Sequence, residues 1–238
     1  GHLGGGLRNT TNSGQVIGTD DIIIGNQATA TGTVTVNGFN PLPAPGVTSH
    51  MRTTAANGDI IVGLSGRGTI NIQAGGKVTS SDDIWIASNP NSQGTVNVGG
   101  TGLTNSTLVI TDGLDLSRND GATAAGLGTL EIATGGVVTV GGVMRVGDPN
   151  GSSARLNVYG GSLTCTSSIS GDGTIDMNGG SITASSLTLN SGTLGGSGTN
   201  NPPVDVSGAA CTVKPGNAGA AGLLTINGAY DQDGMMPA

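Results

Sequence analysis

Gly68–Ile86 reads "GTINIQAGGKVTSSDDIWI". It holds three short runs in which apolar and polar residues alternate: Ile70 and Ile72, then Val78, then Ile84 and Ile86. The pair Gly75-Gly76 divides the first run from the second, and Ser80-Ser81-Asp82-Asp83 divides the second from the third. Period-2 alternation places successive side chains on opposite faces of an extended strand. One face of each strand must be buried, because a lone short strand is unstable in water. The stretch therefore encodes three miniature strands joined by tight corners.

The same grammar recurs along the chain. Gly-Thr-apolar-x-apolar appears at Gly32–Val36, Gly68–Ile72, Gly94–Val98, Gly128–Ile132 and Gly173–Met177, with a degenerate copy at Ala154–Val158. A second strand follows a glycine pair at Gly75–Thr79, Gly135–Thr139, Gly160–Thr164 and Gly179–Thr183. A third strand follows an acidic corner at Asp21–Gly25, Asp59–Gly63 and Asp83–Ala87, and Val143–Gly147 fills that slot without the Asp. Helical periodicity is absent, and the glycines would break a helix. This predicts an all-β fold: a single-stranded β-solenoid, or parallel β-helix, with three short strands per coil and like strands paired in parallel. Glycine supplies the corners that need φ > 0.

Composition agrees. Gly is 46 of 238 residues, aromatics are 2% and charged residues 10%, so the core must come from stacked Val, Ile, Leu and Met. The expected interior columns are Val34, Val36, Ile70, Ile72, Val96, Val98, Leu130, Ile132, Leu156, Val158, Ile175 and Met177; Val78, Val138, Leu163 and Ile182; and Ile22, Ile24, Ile60, Val62, Ile84, Ile86, Met144 and Val146. The pattern loosens in places. Residues 1–15 read as a polar, glycine-rich N-terminal arm, and 16–238 as the solenoid. Within it 39–58 is a proline-rich excursion loop, 192–238 are degenerate final coils, and Thr107–Thr111 is an extra strand.

"DIIIGNQATATGTVTVNG" and "VMRVGDPNGSSARLNVYGGSLT" resemble the repeats of autotransporter passengers and of PEP-CTERM-associated surface proteins. "GLLTINGAYDQ" resembles the close of an autotransporter-associated strand repeat. The resemblance implies a β-helix on an extracellular or bacterial cell surface. It implies scaffold rather than chemistry.

The net charge of −7, with only 8 Lys plus Arg, argues against nucleic acid as a partner. No run is long and apolar enough for a membrane span. Cys165 and Cys211 are too few for a zinc site or a disulfide scaffold; a pairing is not demanded. No cofactor is expected. Calcium would suit the acidic corners Asp20, Asp21, Asp59, Asp82, Asp83 and Asp115, but their recurrence at one repeat position favours an Asx-type structural role. Carbohydrate-cleaving chemistry needs grouped carboxylates. The nearest groupings are Asp172 with Asp176, and Asp112, Asp115, Arg118 and Asp120; neither carries a catalytic signature, and His2 and His50 lie in the arm and the excursion. The chain is read as a non-enzyme, with a polysaccharide lyase or hydrolase as the least favoured alternative.

Two surface features remain. Thr33, Thr69, Thr95, Thr129 and Thr174 should form one outward ladder, and Thr79, Thr139, Thr164 and Thr183 another. Asn71, Asn97, Glu131 and Asp176 break the paired Thr-x-Thr form that ice binding would use. In the third strands Ile23, Ile61 and Trp85 should point outward as an apolar stripe, which is either exposed or covered by Phe39, Leu42 and Val47 of the excursion. Ile23, Ile61, Trp85 and Phe39 are the candidate interface. The leading expectation is a structural protein that self-associates as a homo-oligomer or homopolymer into a filament, sheath or surface layer. The alternative is an adhesin-type passenger that binds an extracellular glycan or host surface.

Overall fold

The structure is a computed structural model. It describes residues 2–3, 6–10, 14–38, 48–100, 104–118, 126–148, 153–216 and 221–232. Among these every regular element is a strand, and every pairing between strands is parallel. Strands come in a repeating order of three. The third strands, such as Ile22–Ile24, Ile60–Val62, Ile84–Ile86, Leu114–Leu116 and Met144–Val146, build one ten-stranded sheet. First and second strands share a sixteen-stranded sheet, because the long strand Thr174–Thr183 serves both columns. Long parallel sheets whose neighbours lie one repeat apart are compatible with a solenoid.

Register follows the repeat. Gly32, Gly68, Gly94 and Gly128 stand opposite one another, as do Thr33, Thr69, Thr95 and Thr129. The inward side chains of successive units therefore stack, and every residue assigned above to the interior is buried in one continuous cluster. Burying a Val, Ile or Leu contributes about 1.5–3 kcal/mol each, which suffices without aromatics when a column repeats over many units. In the Thr ladders Arg155 falls between Thr129 and Thr174, and Val109 between Thr79 and Thr139.

The glycines do two different jobs. The residue after each third strand is left-handed in five successive units: Gly25 (φ 74), Gly63 (78), Ala87 (61), Ser117 (61) and Gly147 (93). From that corner the backbone N–H donates to the preceding unit, Gly63 to the Ile24 carbonyl at 2.7 Å, Ala87 to Val62 at 2.8 Å and Ser117 to Ile86 at 2.7 Å. The glycine of the Gly-Thr motif has no positive φ. It lies over that corner bond: a Cβ on Gly128 would stand 2.6 Å from both the Ile86 carbonyl oxygen and the Ser117 nitrogen. Gly68 and Gly94 face the equivalent bonds still more closely. Sequence reasoning credited glycine with corner freedom; in this motif it supplies close approach.

Three boundaries differ from expectation. Within residues 1–15 the described strands belong to the sheets rather than to a separate arm. His2–Leu3 pairs with Ile23–Ile24, and Gly6–Thr10 pairs with Gly32–Val36. The alternation is hidden there because Arg8 and Thr10 hold the register positions of Val34 and Val36. The excursion is shorter than 39–58, since His50–Thr53 is a second strand between Gln15–Gly18 and Lys77–Ser80, with Met51 in the core. Ser106–Ile110 is likewise the ordinary second strand of its unit, paired on both sides, and not an extra one.

Two alanine substitutions separate the two glycine roles. Gly179 has φ 80 and open space around it, so Gly179→Ala should cost about 1–2 kcal/mol. Gly128→Ala forces backbone apart and should cost more than about 4 kcal/mol. Urea unfolding midpoints of the two variants check the order; equal losses would contradict it.

Candidate functional site

The middle residue of each third strand faces away from the core. In register these are Ile23, Ile61, Trp85, Asp115, Arg145 and Ser170. Ile23 and Ile61 stand outside the core cluster formed by Ile22, Ile24, Ile60 and Val62, as expected of outward residues. They are nevertheless 7% and 4% exposed, so of the two expected arrangements Ile23 and Ile61 take the covered one. Packing along the ladder contributes: Ile61 lies one strand spacing from both Ile23 and Trp85, about 4.8 Å. Trp85 is half-buried. Phe39, with Leu42 and Val47, lies outside the described residues.

Beyond Trp85 the ladder turns from apolar to charged. The Arg118 guanidinium lies 3.8 Å from the Trp85 ring centroid, a cation–π contact that contributes about 0.5–1 kcal/mol at such a site. The indole Nε1–H donates to Asp83 Oδ2 at 3.4 Å. One unit on, Arg145 donates to Asp115 Oδ1 at 3.0 Å. Asp83, Asp115, Ser117, Arg118, Arg145 and Asp148 line a concavity of about 340 Å³. Two guanidinium donors and three carboxylate acceptors share its lining, which suits a ligand rich in groups that both donate and accept. Arg145 and Asp148 escaped the sequence reading. Arg145 was legible, since it holds the slot of Trp85 and Asp115 in the quoted Val143–Gly147 strand; Asp148 follows a corner and carries no repeat signal.

The acidic corners form an inter-unit ladder. Asp59 N–H donates to Asp21 Oδ1 at 3.0 Å, Asp83 N–H to Asp59 Oδ1 at 3.0 Å, and Gly113 N–H to Asp83 Oδ1 at 2.7 Å. The role is structural but not the local Asx-type corner expected, because each partner is the next unit's backbone, 24 to 38 residues on. Ligand oxygens of Asp82, Asp83 and Asp112 lie within 4.8 Å of one another. Both oxygens of Asp83 already accept protein hydrogen bonds, so a cation held by the trio would compete with the ladder and with the indole for that carboxylate.

The other candidates have structural partners. His50 Nε2 lies 3.0 Å from Thr79 Oγ1, and burial with the charges of Lys77 and Arg52 lowers its pKa. Asp172 accepts from Ser191 Oγ at 3.1 Å, and Asp176 from the Tyr159 hydroxyl at 3.4 Å. Cys165 and Cys211 are both free thiols; Cys165 Sγ bonds to the Gly142 carbonyl and Cys211 Sγ to that of Leu189. Asp120 and the side chain of His2 lie outside what is described. No helix among the described residues is long and apolar enough to cross a membrane.

Compared with protein-family models, curated proteins and solved structures, the chain matches none.

Burial, with the charges of Asp83, Asp21 and Asp82, raises Asp59 from 3.8 to about 6 against the bond from Asp83 N–H. The folded chain thus holds this proton more tightly than the unfolded chain. The stabilisation is complete below the ordinary carboxylate value and is lost as pH rises through about 6. Asp59→Asn keeps the acceptor and removes the charge. It should leave the urea midpoint at about pH 3 unchanged and raise stability at about pH 7 by about 1 kcal/mol once solvent screening is counted. A variant whose midpoint follows the parent at both pH values would contradict this.

Proposed function

We propose that the chain is a β-solenoid of three short strands per coil, displayed on an extracellular or bacterial cell surface. There it works without catalysis as an adhesin-type scaffold whose third-strand face binds a glycan. One observation carries this reading: Asp83, Asp115, Arg118, Arg145 and Asp148 converge on a single concavity on a rigid parallel sheet. A saccharide presents many hydroxyls that accept from guanidinium and donate to carboxylate. The likeness of "DIIIGNQATATGTVTVNG" to autotransporter passenger and PEP-CTERM-associated repeats supports the surface location.

Self-association into a filament, sheath or layer is the second reading. Two observations weigh against it: Gly6–Thr10 pairs within its own chain, and Ile23 and Ile61 of the apolar stripe are covered. What favours it is the exposure of Leu223 (77%) and Tyr230 (46%) on and beside two late strands.

Glycan-array binding of the parent chain and of Arg145→Ala tests the first reading, with negative-stain electron microscopy of the same samples. Saturable binding that falls about tenfold or more in the variant is expected, from dispersed particles. Absence of glycan binding together with regular polymers would replace the first reading with the second.

A further inference from the structure

We infer that the glycan held by this concavity is an uncharged, polyhydroxylated saccharide and not an acidic one; the inference rests on the glycan reading of the site. The wall carries three carboxylates, Asp83, Asp115 and Asp148, against two guanidiniums, Arg118 and Arg145. Both guanidiniums are engaged within the protein, Arg145 with Asp115 at 3.0 Å and Arg118 on the Trp85 ring at 3.8 Å. Asp82 and Asp112 stand immediately behind, with ligand oxygens within 4.8 Å of Asp83. A uronate or sulfate entering this space meets surplus negative charge and must compete with Asp115 for Arg145. A hydroxyl faces no such penalty, because it accepts from Arg145 or Arg118 and donates to Asp115 or Asp148 while the ion pair persists. An apolar ligand is equally disfavoured, since taking it up would strip water from charged groups without replacing their hydrogen bonds.

Trp85 makes the inference measurable. It is the chain's single Trp, and the guanidinium on its ring belongs to a residue of the concavity wall. A ligand that moves Arg118 changes the indole's surroundings and its fluorescence. The folded full-length chain is titrated with neutral cello-, manno- and chito-oligosaccharides and with oligogalacturonate of matching length, by Trp fluorescence and by calorimetry. A neutral series should bind saturably, with Kd at least about tenfold below that for oligogalacturonate. Arg145→Ala, at a position 58% exposed, should weaken neutral binding without changing the unfolding midpoint. The double variant Asp115→Asn/Asp148→Asn should narrow the gap between the two classes. Oligogalacturonate binding as tightly as the neutral series would overturn the inference and leave the glycan reading standing. No binding of either class in either measurement would overturn the glycan reading itself.

Discussion

The hydrogen bond that joins one corner to the corner before it, Ala87 N–H to the Val62 carbonyl at 2.8 Å and its equivalents, is the constraint on which the rest of the structure depends. It sets the spacing of units. From Gly25 to Gly147 the residue after the third strand turns left-handed, whereas Asp172 N–H makes the same bond to the Val146 carbonyl at 2.9 Å without a positive φ. It also fixes what lies above it. At Gly68, Gly94 and Gly128 the first strand returns directly over this bond, leaving no room for a side chain, whereas Ala154 holds the same slot one unit on. That accounts for Gly68, Gly94 and Gly128 by contact, whereas the corner itself tolerates Ala87 and Ser117 at φ 61. Ser117 gains from the position, since its Oγ accepts from Gly128 N–H at 2.8 Å. A left-handed conformation costs a non-glycine residue about 1–2 kcal/mol, and this bond offsets part of that.

Once the corners are fixed, the strands differ in what they are free to write. First strands are long, and their outward slots carry ladders that satisfy themselves: Asn97 Nδ2 donates to Asn71 Oδ1 at 2.8 Å, with Thr aligned beside them. From Ile22–Ile24 to Met144–Val146 the third strands have three residues, two of them turned to the core, as in Ile84–Ile86. Each contributes one outward side chain, and no ladder constrains its identity. Along the units this slot runs Ile, Ile, Trp, Asp, Arg. Variation on a fixed scaffold is where function resides in repeat folds, and this column varies most in chemistry.

Most of the fold was legible because its determinants are periodic. Alternation named the buried residues correctly, since in a strand side-chain direction follows from parity alone. Legibility failed where parity carries no apolar signal. Gly6–Thr10 pairs by backbone although Arg8 and Thr10 hold the apolar register positions, and His50–Thr53 was masked by the proline-rich residues before it. Exposure failed for a different reason. Parity turned Ile23 and Ile61 away from the core, but whether an outward residue is solvated depends on what packs over it, which is non-local. The site was half visible. Trp85 was conspicuous as the single Trp, and Arg118 was noted in a charged patch. Their contact joins residues one unit apart in the stack, and no local spacing encodes it.

Asp83 ties scaffold and site together. The carboxylate ladder runs from Asp21 through Asp59 to Asp83 and stops at Gly113, which has no carboxylate to pass on. Asp83 therefore spends one oxygen on the last backbone N–H of the ladder and the other on the Trp85 indole. The indole in turn supports Arg118. An ordered ladder thus ends by fixing an aromatic ring, the ring fixes a guanidinium, and the guanidinium lines the concavity. The site occurs at this height of the stack because the repeat breaks there: replacement of Asp by Gly at 113 coincides with the change from Ile and Trp to Asp and Arg in the outward slot. A repeat protein acquires a local site where its repeat is broken, and here one interruption supplies both the terminated ladder and the changed face.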